Sequence, residues 1–370
     1  MIAADRPVQR PPDAKLLIVD AGGRITHAAR SRFVDFLQPG DLVIANDAAT
    51  LPASLHGLHL PSGAGIEVRL AARASLAAAD IHVFAAVVFG AGDFHTRTED
   101  RPLPPPLAPG DRLLFGQATD HGDRRLAATV EALLDHPRLV RVRFGGPAGA
   151  VWAGLARHGR PIQYAHVSAP LAMWHVWTPI AALPVAFEPP SASFALDWRS
   201  IRVMRERRIE FATMTLAAGI SSTGDAELDR RLPLDEPYQI SGTTAAAIGR
   251  ARAEGRRIIA VGTTVVRGLE HASAFDGVVR AGEGVADQRI GPDTRLRIVD
   301  AMLSGTHEPD GSHYQILRAF LDDVTLAKAD ASLDAREYRT HEFGDSVLVQ
   351  RMTRAVTSRS ELRDCVEPAA

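Results

Sequence analysis

The sequence has 370 residues, enough for a large core and, we expect, two domains. Its 46% apolar and 23% charged residues are typical of a globular protein, and its net charge of −2 excludes an overall basic protein. The single cysteine, Cys365, excludes a disulfide framework and a thiolate metal cluster. No apolar run is long enough for a signal segment or a membrane span, so we expect a cytoplasmic protein that does not associate with membranes.

The chain opens with patterns typical of a sheet. Residues 15–20 form an apolar strand, and 24–27 its hairpin partner after a Gly-Gly turn. After a short amphipathic helix, residues 41–47 predict a buried strand that ends in Asn46 and Asp47. Polar residues just beyond a buried strand often bind ligands in α/β proteins, whereas an Asx-turn that closes the strand is the equal alternative.

The segment from 54 to 145 has a different sequence pattern, typical of short strands. Apolar residues alternate with others over 66–70, 81–89 and 140–144, and the proline-rich stretch 101–110 is a loop. Short strands separated by turn signals predict a small β-barrel or sandwich. Because helix and strand patterns flank it, we predict a main α/β domain over 1–53 and 146–350, an inserted barrel domain over 54–145, and a flexible tail over 351–370.

The segment following the predicted barrel contains candidate binding elements. Residues 161–168 are irregular, polar and aromatic, as in a binding loop, whereas the tryptophans within 173–177 favour packing. A helix is predicted over 194–208, with Phe194, Trp198 and Ile201 on one face. Its other face carries Arg199, Arg202 and Arg205, which can follow a phosphate backbone or form a solvated face paired with Asp197 and Glu206.

A strand over 209–216 leads into a loop of small residues. Gly219, Ser221 and Ser222 lie in this loop, where glycines and hydroxyl groups can approach a polar ligand or form an ordinary turn. A serine nucleophile has little support, because no Gly-x-Ser-x-Gly elbow surrounds either serine.

The C-terminal third predicts a strand over 297–300 and a helix over 312–328. His307, Glu308 and His313 contain metal-ligand side chains, but their spacing matches no zinc helix motif and Pro309 interrupts any single helix. We therefore predict no metal site.

The most informative stretch is 255–271. Residues 258–261 predict a buried strand, Gly262 a sharp turn, and Thr263 or Thr264 the cap of a helix. Such a turn directs backbone N–H groups at one point, which suits a carboxylate, a phosphate or a ribose hydroxyl, and Arg267 could add a cation. The alternative is an ordinary cap, with Arg267 meeting a surface carboxylate.

Several blocks of this chain, running nearly end to end, are found in the same order in one known family. They are Leu-Leu-Ile-Val-Asp at 16–20, Phe-Val-Asp-Phe-Leu-Gln-Pro-Gly-Asp-Leu-Val-Ile-Ala-Asn-Asp at 33–47, Leu-Pro-Ala at 51–53, Glu-Pro-Tyr at 236–238, Arg-Ile-Ile-Ala-Val-Gly-Thr-Thr-Val-Val-Arg at 257–267, Ile-Val-Asp at 298–300 and His-Glu-Pro at 307–309. In these blocks the chain resembles the S-adenosylmethionine:tRNA ribosyltransferase-isomerase family of queuosine biosynthesis.

The resemblance implies an α/β main domain with an inserted β-barrel. It also implies an enzyme that moves the ribosyl part of S-adenosylmethionine onto a 7-deazaguanine base at the wobble position of tRNA. Adenine and methionine leave, and an epoxy-cyclopentane ring forms. S-adenosylmethionine is then the ribosyl donor, no metal is required, and the partners are a nucleoside substrate and tRNA. We expect a monomer.

The sequence also departs from the family pattern. Ala49 and Ser54 stand where the family has arginines, Leu234 stands where it has a histidine, and residues 190–196 lack the histidine of the family's loop. The chain therefore resembles a divergent branch. Two alternatives stay open: a paralogue that binds a nucleoside or RNA without this catalysis, and a hydrolase that uses Ser221 or Ser222.

Ribosyl transfer needs a base, donors that hold the ribose and the leaving base, and a site that excludes water. We predict that Glu236 carries the proton, with Tyr238 beside it as a second catalytic residue. The predicted substrate-binding residues are Asn46, Asp47, Gly219, Ser221, Ser222, Gly262, Thr263, Thr264, Arg267 and His307.

Overall fold

The computed structural model describes residues 1–116, 125–307 and 311–352. The predicted tail therefore lies outside the described residues from 353 onward, and so do Cys365 and Glu308. Among the helices of the described ranges, none has both the length and the apolar character that a membrane span requires.

The elements follow in chain order. Before the barrel lie β1 (Ile2–Ala3), β2 (Lys15–Val19), β3 (Ile25–Ala29), β4 (Leu42–Asn46) and β5 (Ala49–Thr50). The barrel strands are β6 (Ser54–His59), β7 (Ala64–Ala72), β8 (Val83–Phe89), β9 (Arg112–Phe115), β10 (Leu126–His136) and β11 (Leu139–Phe144). Short 3-10 helices occupy Arg30–Phe36, Ala78–Asp80, Thr98–Asp100 and Ser191–Ala195.

The remaining elements follow the barrel strands in the chain. They are α1 (Ala148–His158), β12 (Gly159–Arg160), α2 (Met173–Val176), β13 (Pro184–Ala186), α3 (Trp198–Glu206), β14 (Glu210–Leu216), α4 (Ala226–Asp229), β15 (Glu236–Ile240), α5 (Gly242–Ala253), β16 (Ile258–Val261), α6 (Thr263–Ala272), β17 (Gly282–Ala286), β18 (Ala301–Gly305), α7 (Ser312–Leu317), α8 (Asp323–Ala335), β19 (Arg339–Thr340) and β20 (Ser346–Gln350). Of these, β12 pairs with β6 of the barrel.

The main domain is built on a mixed sheet with the strand order β17-β15-β14-β4-β16-β18-β20-β2-β3. Its centre, β14-β4-β16-β18, is parallel, so the carboxyl ends of these four strands share one edge. Alternate residues of β4 enter different cores: Leu42 and Ile44 pack with α5, α6 and α8, whereas Val43 and Ala45 pack with α3. Burial on both faces explains why β4 and β16 are continuous apolar runs.

The segment between Ser54 and Phe144 forms a closed antiparallel barrel in the order β6-β7-β8-β11-β10-β9, with β9 pairing back to β6. Gly57 permits this closure, because a Cβ at that position would lie 2.2 Å from the Leu114 carbonyl oxygen. The α/β fold with an inserted β-barrel is therefore confirmed. The barrel core also takes in Val151 and Leu155 of α1.

Two predicted helices are corrected by N-caps. The helix predicted over 194–208 begins only at Trp198, because the Asp197 carboxylate accepts the Ser200 N–H at 2.6 Å. The helix predicted over 312–328 is two helices, since Asp322 accepts the Thr325 N–H at 2.7 Å and starts α8. Each break allows the chain to turn between packed segments.

The strand predicted over 297–300 is wrong. The N–H groups of Arg297, Ile298 and Val299 donate to the Glu270 carboxylate at 2.7–2.9 Å, so they are not available to a neighbouring strand. The strand that joins the sheet is β18, immediately after this segment. A buried acidic side chain on α6 thus takes the place of sheet hydrogen bonds.

Candidate active site

Asn46 and Asp47 end β4 as predicted, but the main chain and neighbouring hydroxyls use their polar atoms. Asn46 Nδ2 donates to the Leu216 carbonyl oxygen at 2.9 Å, and Oδ1 accepts the N–H groups of Ala48 and Leu216, both at 3.0 Å. The Asp47 carboxylate accepts hydrogen bonds from Thr213 and Thr215. The Asx-turn alternative therefore describes Asn46, and both residues tie β4 to β14.

Gly262, not a threonine, is the N-cap of α6, which corrects the predicted cap. Its φ of +100° lies in the region that favours glycine, and a Cβ there would lie 3.5 Å from that of Ala192. Thr263 and Thr264 form the first turn of the helix, and Thr264 Oγ1 lies 3.5 Å from Asn46 Nδ2. The turn thus packs closely against the 3-10 helix at Ser191–Ala195.

Glu236 and Arg267 form a buried ion pair at 2.7 Å. Glu236 Oε1 also accepts the Gly219 N–H at 2.8 Å, and Arg267 donates to the carbonyl oxygens of Leu234 and Gln288. Burial raises the pKa of the Glu236 carboxyl, and the Arg267 guanidinium opposes that shift. Arg267 is only 2% exposed, so it is neither the free cation nor the surface partner that the sequence suggested.

Both oxygens of Glu236 are therefore engaged in joining β15, α6 and the loop after β14. Tyr238 lies further along β15, where its hydroxyl is 3.0 Å from His271 Nδ1. The predicted pair of Glu236 and Tyr238 thus contacts successive turns of α6. These contacts give both residues a structural role, and catalysis by them stays a prediction.

A second group of polar side chains gathers where β14 and β18 end. We call it the histidine–glutamate cluster; the sequence predicted only Ser221 and His307 of its members as site residues. Its members come from six separate parts of the chain. They are Tyr164 and His166 after β12, Glu188 after Phe187, Ser221 in the loop after β14, His307 after β18, His313 in α7, and His341 and Glu342 in the turn after β19.

Glu188 is held by two hydroxyl-bearing residues. The Tyr164 hydroxyl donates to Glu188 Oε1 and lies 3.1 Å from the Ser222 carbonyl oxygen. The Ser221 Oγ lies 3.5 Å from the same Tyr164 hydroxyl, and the polar groups of Ser221 partly oppose the rise in the pKa of Glu188. Ser222 turns its own hydroxyl to Asp229 at 3.3 Å. The predicted serine loop therefore reaches the cluster through Ser221 and the backbone of Ser222.

His166 connects Glu342 to the rest of the cluster. Its Nε2 lies 3.2 Å from Glu342 Oε2, and its ring stacks on His341 with centroids 4.1 Å apart. On the other side, the rings of His307 and His313 lie 4.7 Å apart, and His307 Nε2 lies 2.9 Å from Ser304 Oγ. One histidine pair thus contacts the partly buried Glu342 carboxylate, whose charge also acts on His313 of the other pair.

The surroundings of the cluster's carboxyl and imidazole groups shift their pKa values in different directions. Burial, aided by the charge of Glu342, raises the pKa of Glu188 to about 7. Burial would also raise the pKa of Glu342, but the hydrogen bond and charge of His166 outweigh it and the pKa is lowered. Burial lowers the pKa of His307 well below its usual range, with His313 and His341 adding to the shift. Near neutral pH the cluster therefore contains an acid, Glu188, beside an ionised base, Glu342.

Within the described residues, no three or more His, Cys, Asp or Glu side chains are arranged to bind a metal ion. The cluster's residues instead engage each other and nearby hydroxyls. Its Tyr164, His166, Glu188 and Glu342 line a pocket together with Val176 and Phe343. This arrangement suits proton transfer to and from a ligand.

Sequence patterns pointed to some members of the histidine–glutamate cluster and missed others. Tyr164 and His166 lie in the segment predicted as a binding loop, and His313 was weighed as a metal ligand. Glu188, His341 and Glu342 were missed. The last two follow β19, which is only two residues long and leaves no periodic pattern.

The fold and site define an α/β protein with an inserted six-stranded barrel and a buried acid–base cluster at the carboxyl edge of its parallel strands. The chain belongs to the family described as queuosine biosynthesis protein, whose model matches residues 1–349, and this confirms the resemblance.

Two relatives are each named S-adenosylmethionine:tRNA ribosyltransferase-isomerase. The Sorangium cellulosum protein is 31% identical over 94% of this chain and 95% of its own length. The Moorella thermoacetica protein is 28% identical over the same shares. A crystal structure of S-adenosylmethionine tRNA ribosyltransferase from Thermotoga maritima matches with a TM-score of 0.48 and 21% identity, covering 94% of this chain and 96% of that one.

Proposed function

We propose that this protein is an S-adenosylmethionine:tRNA ribosyltransferase-isomerase that transfers the donor's ribosyl part to a 7-deazaguanine base of tRNA in the queuosine pathway. The observation that carries the proposal is the family match over residues 1–349. The names of both relatives agree with it.

We assign the chemistry to the histidine–glutamate cluster. Loss of adenine leaves negative charge on the departing base, which a nearby acid can neutralise by donating a proton. Glu188 is suited to this role, because Tyr164 and Ser221 fix its carboxyl group in a buried position. Glu342, oriented by His166, is suited to accept a proton from the substrate.

The charge of the site also fits the donor. The sulfonium of S-adenosylmethionine is a cation, and a partly buried, ionised carboxylate such as Glu342 attracts a cation more strongly once a bound ligand excludes water. The neighbouring His307 favours its neutral form, since burial lowers its pKa, and so adds little repulsion. Ser221 and His307 keep their predicted place as substrate contacts.

The buried Glu236–Arg267 pair supports the site from outside. Glu236 accepts the Gly219 N–H, and Ser221 lies two residues further along the same loop. We propose that this pair positions the serine loop, with Asn46 and Thr264 fixing the adjoining strand end and helix.

The test is adenine release. Purified protein is incubated with S-adenosylmethionine and tRNA that carries the aminomethyl-deazaguanine base, and we expect adenine to form in proportion to enzyme. Absence of adenine at high enzyme concentration would contradict the proposal. Calorimetric binding of the donor without turnover would support the alternative of a nucleoside-binding or RNA-binding paralogue.

A further inference from the structure

Two tryptophans lie exposed beside the pocket. Trp174 in α2 is 73% exposed, and Trp198 at the start of α3 is 70% exposed. Tryptophan normally buries most of its large apolar area, so the predicted packing role is wrong for Trp174, and the face predicted for Trp198 is not buried either. An exposed indole ring costs solvation free energy and offers a flat face to a ligand.

The N-terminal segment joins the two tryptophans on one surface. The Gln9 side chain donates to the carbonyl oxygens of His175 and Trp177 at 2.8 and 2.7 Å, which fixes the turn that carries Trp174. The next residue, Arg10, donates to the carbonyl oxygen of Leu196 at 3.4 Å, two residues before Trp198. The Arg10 guanidinium also donates to Gln9 Oε1 at 3.3 Å, so the two side chains that contact these turns lie side by side.

The same turns form a wall of the pocket. Val176 of α2 packs in one apolar cluster with Phe194 and Phe343, and the two phenylalanine rings stack with centroids 5.6 Å apart. Val176 and Phe343 line the pocket, and Phe343 directly follows Glu342. The exposed tryptophans are therefore attached to the residues that enclose the proposed active site.

Helix α3 adds positive charge next to Trp198. Arg199, Arg202 and Arg205 are all exposed. In the described part of the chain, only Arg202 of these has a carboxylate partner, Glu206 at 3.5 Å. The solvated-face alternative is thus confirmed for Glu206, whereas Asp197 caps the helix and, among the described residues, is not paired with these arginines. A chain with a net charge of −2 thus has a local basic face on the helix that begins with the exposed Trp198.

We propose that Trp174, Trp198 and the arginines of α3 form an RNA-binding surface, on which unpaired bases of a hairpin loop stack while Arg199 and Arg205 contact phosphates. Aromatic rings bind the faces of single-stranded bases, which a duplex hides, and arginines neutralise the backbone. The assignment of the RNA as a tRNA anticodon loop rests on the proposed function. The surface would hold the loop while its modified base enters the pocket.

The test uses a fluorescently labelled RNA hairpin with the anticodon stem-loop sequence, and binding is followed by anisotropy at several salt concentrations. For the double variant Trp174→Ala/Trp198→Ala we expect the Kd to rise about tenfold or more, as lost stacking predicts, with the salt dependence unchanged. For Arg199→Ala/Arg205→Ala we expect weaker binding and a salt slope smaller by about one to two.

Matched controls come from the opposite edge of the sheet. Phe275→Ala removes an aromatic side chain that is 97% exposed, and Arg252→Ala removes an exposed arginine on α5, two residues after Arg250, which pairs with Glu210 at the start of β14. Both should bind the hairpin as the wild type does. All four tested side chains are exposed, so melting temperatures should stay within a few degrees of wild type.

Adenine release by the wild type, measured in parallel, separates the two proposals. If adenine forms but the variants bind the hairpin as tightly as the wild type, this surface is wrong and the function stands. If the variants lose affinity while the wild type releases no adenine, the surface stands and the catalytic proposal fails. Failure of the wild-type protein to bind the hairpin overturns the surface.

Discussion

Glu188, which is buried, and Glu342, which is partly buried, are carboxyl groups of one cluster, and their pKa values are displaced in opposite directions. Burial acts on both, but only Glu342 has a histidine partner, His166 at 3.2 Å. Its resulting negative charge then adds to the shift at Glu188. One site thus provides a proton donor and a proton acceptor near neutral pH, the division that acid–base catalysis requires.

Glu188→Gln should abolish adenine release while increasing stability at high pH. Removing an acid from catalysis typically lowers kcat about 10²-fold or more. The pKa of Glu188 is about 7 in the folded protein against an ordinary value of 4.5, so the folded state holds its proton more tightly than the unfolded chain. The resulting stabilisation of the folded state is fully present below about pH 4.5 and is lost as pH rises to about 7.

The wild-type free energy of unfolding should therefore fall by about 3 kcal/mol over that window because of Glu188, and the glutamine variant should lack this decline. Urea titrations at several pH values between 4 and 8 measure both. Identical pH slopes for the two proteins would show that Glu188 does not titrate as inferred.

His166→Leu should move the acid limb of the pH–rate profile to higher pH. Loss of the hydrogen bond raises the pKa of Glu342, so its ionised form persists over a narrower range. Because the pKa of Glu342 is lowered in the folded protein, its ionisation stabilises the fold at pH values above its ordinary pKa, and this stabilisation is lost as pH falls. The His166→Leu variant should lack this stabilisation. The profile of kcat/KM for adenine release measures the shift. His82→Leu removes the histidine just before β8, whose ring hydrogen-bonds, among the described residues, to the Gly146 carbonyl oxygen; this variant should leave the profile unchanged.

Glu236→Ala should destabilise the fold by about 3–5 kcal/mol, because it leaves the buried Arg267 without its carboxylate. Glu227→Ala is the matched control: its pair with Arg231 is exposed, so we expect a loss below about 1 kcal/mol. Urea unfolding compares them. A Glu236→Ala protein with wild-type stability but no adenine release would instead restore Glu236 as the predicted proton carrier.

Glu67→Gln should weaken the barrel and change its acid sensitivity. Burial alone would raise the pKa of Glu67, but Arg69 at 2.7 Å and Arg101 lower it to about 2. The pKa of Glu67 in the folded protein lies below its ordinary value of 4.5. Its ionisation therefore adds about 3 kcal/mol to the free energy of unfolding above pH 4.5, and this stabilisation is lost as pH falls toward 2.

The variant should therefore be less stable at pH 7 and lose less on acidification, as measured by tryptophan fluorescence during acid unfolding. Glu131→Gln removes a partly exposed partner of Arg143 on the same barrel and should change neither property. An unchanged acid midpoint in Glu67→Gln would contradict this account.

Local patterns identified much of the fold. The predicted strand over 258–261 and the helix after Gly262 correspond to β16 and α6. Both could be predicted because a continuous apolar run and a glycine turn are local features of neighbouring residues. The barrel was visible for the same reason, as period-two alternation. Where the prediction failed, at 297–300, a distant carboxylate on α6 had taken the backbone donors.

By itself, then, the sequence determined the fold class, the inserted barrel and the family, since these depend on periodicity, turn residues and short motifs. Only the tertiary structure decided which side chains meet. It enclosed Glu236 and Arg267 as a pair, and it brought Glu188, His166 and Glu342 together from distant segments. Burial and proximity in space fix the charge of each carboxyl group, and neither is encoded in the residues adjacent to it.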